Sequence, residues 1–312
     1  MAEFEDEEEW EAVHRAADRK VPIFRQAFFD GYGNFANGID AEVIEYLFDN
    51  GAFDAINFAL PWEELRASVR EELIPAVLQT MIDAADASSE VTRRTLEAAT
   101  GIEVDIAFDK TSGRVASYLE SEVGTLITEM TESAQATVRE LVLEAQVRES
   151  SSSTLVRDIK QNIGLRTDQY RALENYREGL IKRDTPPAEI NRMVEEYRER
   201  LLSQRATLIA RTESMRAANF GVLEGYQQAA DEGLIDRNSS TKTWVVTPDD
   251  RLCNTCRPMD GVTVPMGSTW SVRVITGSTP GKGQYRGTVA VRVPNEIHPN
   301  CRCAIKINPV SN

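Results

Sequence analysis

The sequence predicts an α+β protein, with mainly helical N-terminal and middle regions followed by a small β-rich C-terminal lobe. Three observations carry this reading. From Trp10 to Ala230, apolar residues recur at the three-and-four spacing of helices that bury one face. From Thr241 onward the texture changes to β-branched residues punctuated by Gly and Pro. Finally, all four cysteines and one of the two histidines fall in two short clusters, Cys253-Asn-Thr-Cys256 and His298-Pro-Asn-Cys301-Arg-Cys303.

In chain order, the acidic run Glu3 to Glu9 reads as a solvated or frayed end. Trp10 to Phe29 is broadly helical, Gly31 to Gly38 is rich in turn residues, and Ala41 to Phe48 forms a short helix. Trp62 to Ala84 places Leu65, Val69, Leu73, Ala76 and Val77 near helical spacing. Ser88-Ser89 can cap a further helix through Ala99, which Gly101 can stop. A long helix follows between Val115 and Val147, with the stripe Val115, Tyr118, Leu119, Val123, Leu126, Ile127 and Met130. Ser150 to Ser153 interrupts it and caps Thr154 to Ile163, after which Gly164 is placed as a left-handed stop. Pro186-Pro187 opens a helix striped by Ile190, Met193, Val194, Tyr197 and Leu201. The next helix is expected from about Ala206 to Ala230. Short strands are expected at Trp244 to Val246, Trp270 to Ile275, Thr288 to Val293 and Ala304 to Ile307.

The chain accordingly divides by composition into an acidic helical segment 1–100, a helical segment 101–240 and a β-rich lobe 241–312. Their net charges are -14, -6 and +5, within a total of -15. An acidic head and a basic lobe are expected to meet different partners. No apolar stretch approaches the roughly 20 residues of a spanning helix, so no membrane insertion is expected.

The Cys/His clusters point to a metal. A Cys-x-x-Cys turn aims two thiolates at one centre, and a second cluster of His and Cys can complete the tetrahedral N/S shell that zinc prefers. Disulfides are the alternative, but the start Met-Ala-Glu-Phe-Glu-Asp-Glu has no basic and apolar leader to route the chain to an oxidising compartment. The expectation is one structural zinc held by four of Cys253, Cys256, His298, Cys301 and Cys303. Three bound thiolates and a neutral histidine would reduce the lobe's charge to about +4. A lobe of about 70 residues with few large apolar side chains has a thin core, which the metal would stabilise. A catalytic metal would need an open position and a base, and the other histidine, His14, stands near the opposite end of the sequence.

Other residues with catalytic potential have simpler readings. Arg211 and Glu213 read as a helix-surface pair, and Asp249-Asp250 after Pro248 as a turn. The run Gly277 to Gly283 lacks the order of a phosphate loop and reads as a hairpin tip.

The C-terminal run Trp244…Asp250-Arg251-Leu252-Cys253-x-x-Cys256-x-x-x-Asp260-Gly261…His298-Pro299-Asn300-Cys301-Arg302-Cys303 resembles the signature of the Mu F-like head morphogenesis family, minor head proteins of tailed bacteriophages. Ile209-Ala210-Arg211-Thr212-Glu213, with Arg216, Asn219 and Gly221, is similar to that family's Ala-Arg-Thr-Glu helix. Phe108-Asp109-Lys110-Thr111, followed by Tyr118-Leu119, resembles the start of its core. The resemblance covers about residues 100 to 308. It implies a non-catalytic, low-copy head protein that contacts the portal and other head proteins during procapsid assembly in the host cytoplasm. In the virion it would lie in the head interior or at the portal vertex. Arg273, Lys282, Arg286 and Arg292 are candidate contacts to packaged DNA or an acidic partner, against a solvated strand face. Two other classes compete. A nuclease or toxin domain would need an acid and base that the residues do not supply, and a zinc-ribbon nucleic-acid module would need more concentrated charge and aromatics.

Overall fold

The computed structural model describes residues 2–100, 107–247, 252–275 and 285–310. Nine helices and five strands are present among them: α1 (Ala2–Gly38), α2 (Ala41–Asp49), α3 (Phe53–Ala59), α4 (Trp62–Thr100), α5 (Gly113–Tyr118), α6 (Gly124–Val147), α7 (Ser152–Asn162), α8 (Thr167–Ile181) and α9 (Pro187–Asp231), then β1 (Thr241–Val245), β2 (Thr263–Pro265), β3 (Trp270–Ile275), β4 (Tyr285–Val291) and β5 (Ala304–Asn308). The α+β class holds. Asp249, Asp250, Gly101, Lys282 and the run Gly277 to Gly283 lie outside the described residues.

The helices run longer than their local signals indicate. The acidic run is helical from Ala2, and α1 continues through the Gly31 to Gly38 stretch instead of breaking there. The reason is packing: a Cβ at Gly31 would stand 2.3 Å from Val69 Cγ2 of α4, so this glycine permits close approach and does not form a turn. Tyr32 and Phe35 on the same turns are buried. Ser88-Ser89 likewise lies inside α4, with Ser88 fully buried. The two helices expected after Pro186 are one 45-residue helix that starts at Pro187. Ser151 caps α7 by accepting from the Thr154 N–H, as its sequence indicates. Gly164 is not among the residues with positive φ; a Cβ there would meet Leu202 at 2.8 Å, another close approach. Between α5 and α6 a single π-helical turn, Leu119–Val123, carries the helical course forward.

The chain packs as two compact units. One comprises residues 24–74 and 120–207, and its core includes Phe28, Phe35, Ile56, Leu65, Val138, Leu155 and Ile159. The other comprises residues 1–23, 75–119 and 208–312 and contains every strand. The divisions at 100 and 240 mark changes of composition, whereas these units follow packing.

In the second unit β2, β1 and β5 form an antiparallel sheet in that order, and β3 pairs with β4 as a hairpin. One apolar core unites Val13, Ala16 and Ala17 of α1, Ala84 of α4, Met215, Ala218 and Val222 of α9, and Trp244, Trp270, Ile305 and Ile307 of the strands. Thus part of the acidic N-terminal segment is built into the β lobe. The Phe108 to Thr111 block is clamped to α9 as well, since the Gln228 side chain accepts from Asp109 N (2.7 Å) and donates to Asp109 O (3.0 Å). Buried Glu224 of α9 accepts from Ser112 Oγ (2.9 Å) and from Arg114 Nε (2.7 Å).

Among the described glycines of this unit, Gly221 makes the closest approach. A Cβ there would stand 2.3 Å from Met81 O and 2.5 Å from Met81 Cα, both backbone atoms of α4. Gly221→Ala is therefore expected to destabilise the protein by about 2–3 kcal/mol through overpacking, despite alanine's better helix propensity. A denaturant titration checks this; an unchanged midpoint would mean that the two helices separate at little cost.

Lys242 is a buried cation in β1, 1% exposed, with Nζ donating to Arg292 O (2.9 Å) and lying 4.5 Å from the Trp270 ring centroid. Burial, only partly offset by Glu296, lowers its pKa to about 8. The folded state therefore loses this proton near pH 8 while the unfolded chain keeps it up to the ordinary lysine value near 10.4, and stability contributed by Lys242 rises with pH across that window. Lys242→Met is expected to remove that rise, measured as the pH dependence of the unfolding midpoint relative to the parent chain.

Candidate metal centre

The sheet register brings the two Cys/His clusters together. Val245, the last residue of β1, pairs with Ala304, the first of β5. The loop leaving β1 carries Cys253 and Cys256, and the loop entering β5 carries His298, Cys301 and Cys303, so antiparallel pairing sets both loops at the same sheet end.

Within the first loop, Cys256 N–H donates to Cys253 Sγ (3.2 Å) and Arg257 N–H to Cys253 O (3.0 Å), closing a tight turn ahead of the 3-10 turn Arg257–Met259. In the second, Asn300 adopts φ +59°, a left-handed conformation that asparagine tolerates better than most residues. Its N–H is received by Thr212 Oγ1 of α9 at 2.7 Å. Two further α9 residues hold the same loop. Asn219 Nδ2 donates to Cys303 O (3.0 Å) and to Asn295 Oδ1, while its Oδ1 accepts from Ile305 N–H (2.9 Å). Asn295 Nδ2 in turn donates to Cys301 O (2.7 Å), and Arg216, paired with Glu213 at 3.3 Å, reaches Asn295 O. The Ala-Arg-Thr-Glu helix is thus the mould for the second cluster, and Glu213 pairs with Arg216 one turn on.

His298 Nε2 lies 3.1 Å from Cys253 Sγ and 3.3 Å from Cys256 Sγ, and Cys256 and Cys301 Sγ are 3.8 Å apart. Two groups can hold a metal ion, Cys253 with Cys256 and His298, and Cys256 with Cys301 and Cys303, sharing Cys256. The donors suit a tetrahedral ion, because metal–sulfur bonds of about 2.3 Å set sulfurs about 3.8 Å apart. His298 is correctly oriented too: Nδ1 lies 2.9 Å from Pro299 O, and a proton held there leaves the Nε2 lone pair facing the sulfurs. All four cysteines are free thiols.

The donors share protons unevenly. A bond from the Cys256 thiol, working against burial and helped by His298, holds Cys253 down at about 4. The same interaction pushes Cys256 up, while bonds from Cys256 and Cys303 depress Cys301. Cys303 is raised: its bond to Cys256 works downward, but the bond to Cys301 and burial outweigh it. Burial opposes a charge on His298, yet bonds to Cys253 and Cys301 raise it to about 11. A metal would replace these shared protons with one shared cation.

His14 is the largest departure from the sequence reading. It stands not remote from the clusters but beside them, with Nε2 3.4 Å from Thr247 Oγ1, which donates to Arg302 O (2.6 Å) between Cys301 and Cys303. Its ring meets the edge of Trp10 at 4.4 Å, and burial lowers its pKa. Distance along the chain was no guide, because α1 packs into the lobe's core.

Among the candidate phosphate contacts, Arg273 and Arg286 are exposed on the β3–β4 hairpin. Arg292 is exposed but lies 3.5 Å from Glu296, an i,i+4 pair that reduces the charge it offers. Lys282 is outside the described residues.

Fold and site together define a largely helical protein with a small β lobe whose Cys/His cluster could hold a metal ion. Residues 136–306, more than half of the chain, match the family described as Phage Mu protein F like protein, and the chain belongs to that family. The Phe108 to Thr111 block precedes the matched residues. Comparison with curated proteins and with solved structures gives no match. Family membership makes this a phage head-morphogenesis protein. Among the described residues, no helix is long and apolar enough to cross a membrane.

Proposed function

We propose that the protein is a minor head protein that acts beside the portal during procapsid assembly and remains in the virion head, and that its lobe holds one structural zinc without catalysing a reaction. The family match over residues 136–306 is the observation that carries the assembly role. Mixed thiolate and imidazole donors favour zinc over hard cations. We assign the shell to Cys253, Cys256, His298 and Cys301, which His298 joins through both clusters, and leave Cys303 beside it as a thiol next to Trp244. The four assigned donors would fill a tetrahedral shell, and His14 is engaged by Trp10 and Thr247, which supports a structural metal. Exposed Arg273 and Arg286, with Lys282, are the proposed contacts to DNA phosphates or an acidic partner surface.

Co-purification with the portal protein of the same phage tests the assembly role, with detection at low copy in procapsids and virions. Absence from both particles would refute it. A native mass spectrum of protein made in a reducing cytoplasm is expected to show one zinc per chain and no disulfide. Cys303→Ser should keep the metal and Cys301→Ser should lose it, and the reverse result would reassign the shell.

A further inference from the structure

The chain passes between its two compact units four times, at residues 23–24, 74–75, 119–120 and 207–208, and every passage lies within a helical run. Among the described residues, two prolines stand inside α-helices, Pro22 of α1 and Pro75 of α4, and one π-helical turn occurs, Leu119–Val123. Each of these three features falls on a passage or within two residues of one. Proline inside a helix and the π-turn are the ordinary places where a helix bends.

The local chemistry at each passage weakens the helix without a packing reason. Pro22 has no N–H for the Asp18 carbonyl and Pro75 none for that of Glu71, so each removes one rung of the hydrogen-bond ladder. Both prolines are exposed, so neither ring fills a gap in a core. The π-turn is followed at once by Gly124, where a Cβ would meet nothing within 4 Å. Unlike Gly31, Gly164 and Gly221, this glycine admits no neighbour, and what it supplies is backbone freedom. Thr125 Oγ1 also donates to Ser121 O of the same turn (2.7 Å), a back-bond that bends helices. The fourth passage is different. Helix α9 crosses at residues 207–208 with no Pro or Gly between Arg200 and Met215, so its ladder continues and it can only flex.

We propose that the protein is built to hinge, with α9 as the continuous flexing element and with Pro22, Pro75 and the Leu119–Gly124 turn as the points where the other three passages give. Each unit has its own buried core and so keeps its structure while the angle between the units changes. This goes beyond the assembly reading and does not rest on the metal lobe. The test uses the full chain with spin labels carried by a genetically encoded amino acid, which spares the four cysteines. One pair of labels replaces Val147 and Glu232, exposed residues of different units, and a control pair replaces Phe58 and Ile181, exposed residues of one unit. Double electron–electron resonance is expected to give a distance distribution about twice as wide for the first pair as for the control. Pro22→Ala combined with Pro75→Ala restores two rungs at exposed positions and is expected to narrow the first distribution by about half while leaving the control unchanged. Gly124→Ala, made separately in open space, is expected to narrow it less. Narrowing by either variant supports the hinge. The proposal is overturned if the parent's first pair is as narrow as the control, because the prolines then fix one bent form, or if neither variant changes its width.

Discussion

Removing the proposed zinc with a chelator at neutral pH is expected to unfold the β lobe and to release the N-terminal part of α1 with it. The lobe's strands are short, and its largest buried side chains are Trp244 and Trp270, packed edge to face at 5.4 Å over the cysteine loops. Structural zinc contributes about 10–16 kcal/mol in small metal domains, as much as the entire stability of a typical domain. Val13, Ala16 and Ala17 rest on the same core as Cys256, Cys301 and Cys303, so the loss reaches a helix more than 200 positions away in sequence. Hydrogen exchange read by mass should show residues 10–23 and 241–310 losing protection on chelation while residues 124–181 keep theirs. Near-ultraviolet circular dichroism from the tryptophan pair should collapse in the same step. Retained protection in protein shown to be metal-free would mean that the apolar core suffices alone. The pH dependence has a definite sign: the metal must displace a proton from His298, held at about 11, and from the raised Cys256 thiol, so affinity rises with pH and acid promotes release.

What sequence made legible was local. Cys-x-x-Cys, the Ser cap of α7, Pro187 at a helix start and the β-branched run of β3 each act within a few residues, and each appears where expected. The misreadings concern features whose cause lies elsewhere in the chain. A glycine that turns the backbone and one that admits a neighbouring helix are the same letter, so Gly31 reads as a breaker until Val69 is set against it. Ser88 reads as a cap because its buried surroundings, close to Tyr226, are supplied by a helix about 140 positions later. Helices α3 and α8 and the three-residue strand β2, which ends in proline, had no strong periodic signal and were not singled out. The five donors were visible from spacing alone, but the residues that shape their loop were not. Thr212 and Asn219 are polar letters among the mostly apolar ones that α9 buries. Such residues are a usable sign, since a buried Asn or Thr must find partners, yet the sign does not name them.

Asn219 is the residue whose loss should be felt most after the metal itself. It is fully buried and bonded at both ends of its amide, with Nδ2 reaching Cys303 O and Asn295 Oδ1 and with Oδ1 receiving Ile305 N–H. Asn219→Ala would strand those groups where water does not reach, at about 1–3 kcal/mol for each one left unsatisfied. A total loss of about 3–5 kcal/mol is expected, beyond that of Gly221→Ala one turn-edge away, although the latter introduces the worse steric contact. The two variants separate positioning from stability. Asn219 holds the carbonyl of Cys303 and, through Asn295, that of Cys301, so Asn219→Ala should lower metal affinity by about 10–100-fold, the range seen when outer-shell partners of metal ligands are removed. Gly221→Ala alters the packing of α9 on α4 without removing a bond to the cysteine loop, and should leave affinity nearly unchanged while stability falls. Competition with a chromophoric chelator, run on both variants under conditions where each is folded, reads the difference directly. Equal affinities for the two would make Asn219 a core residue only, and would return the task of shaping the second cluster to the turn formed by Asn300 and Thr212.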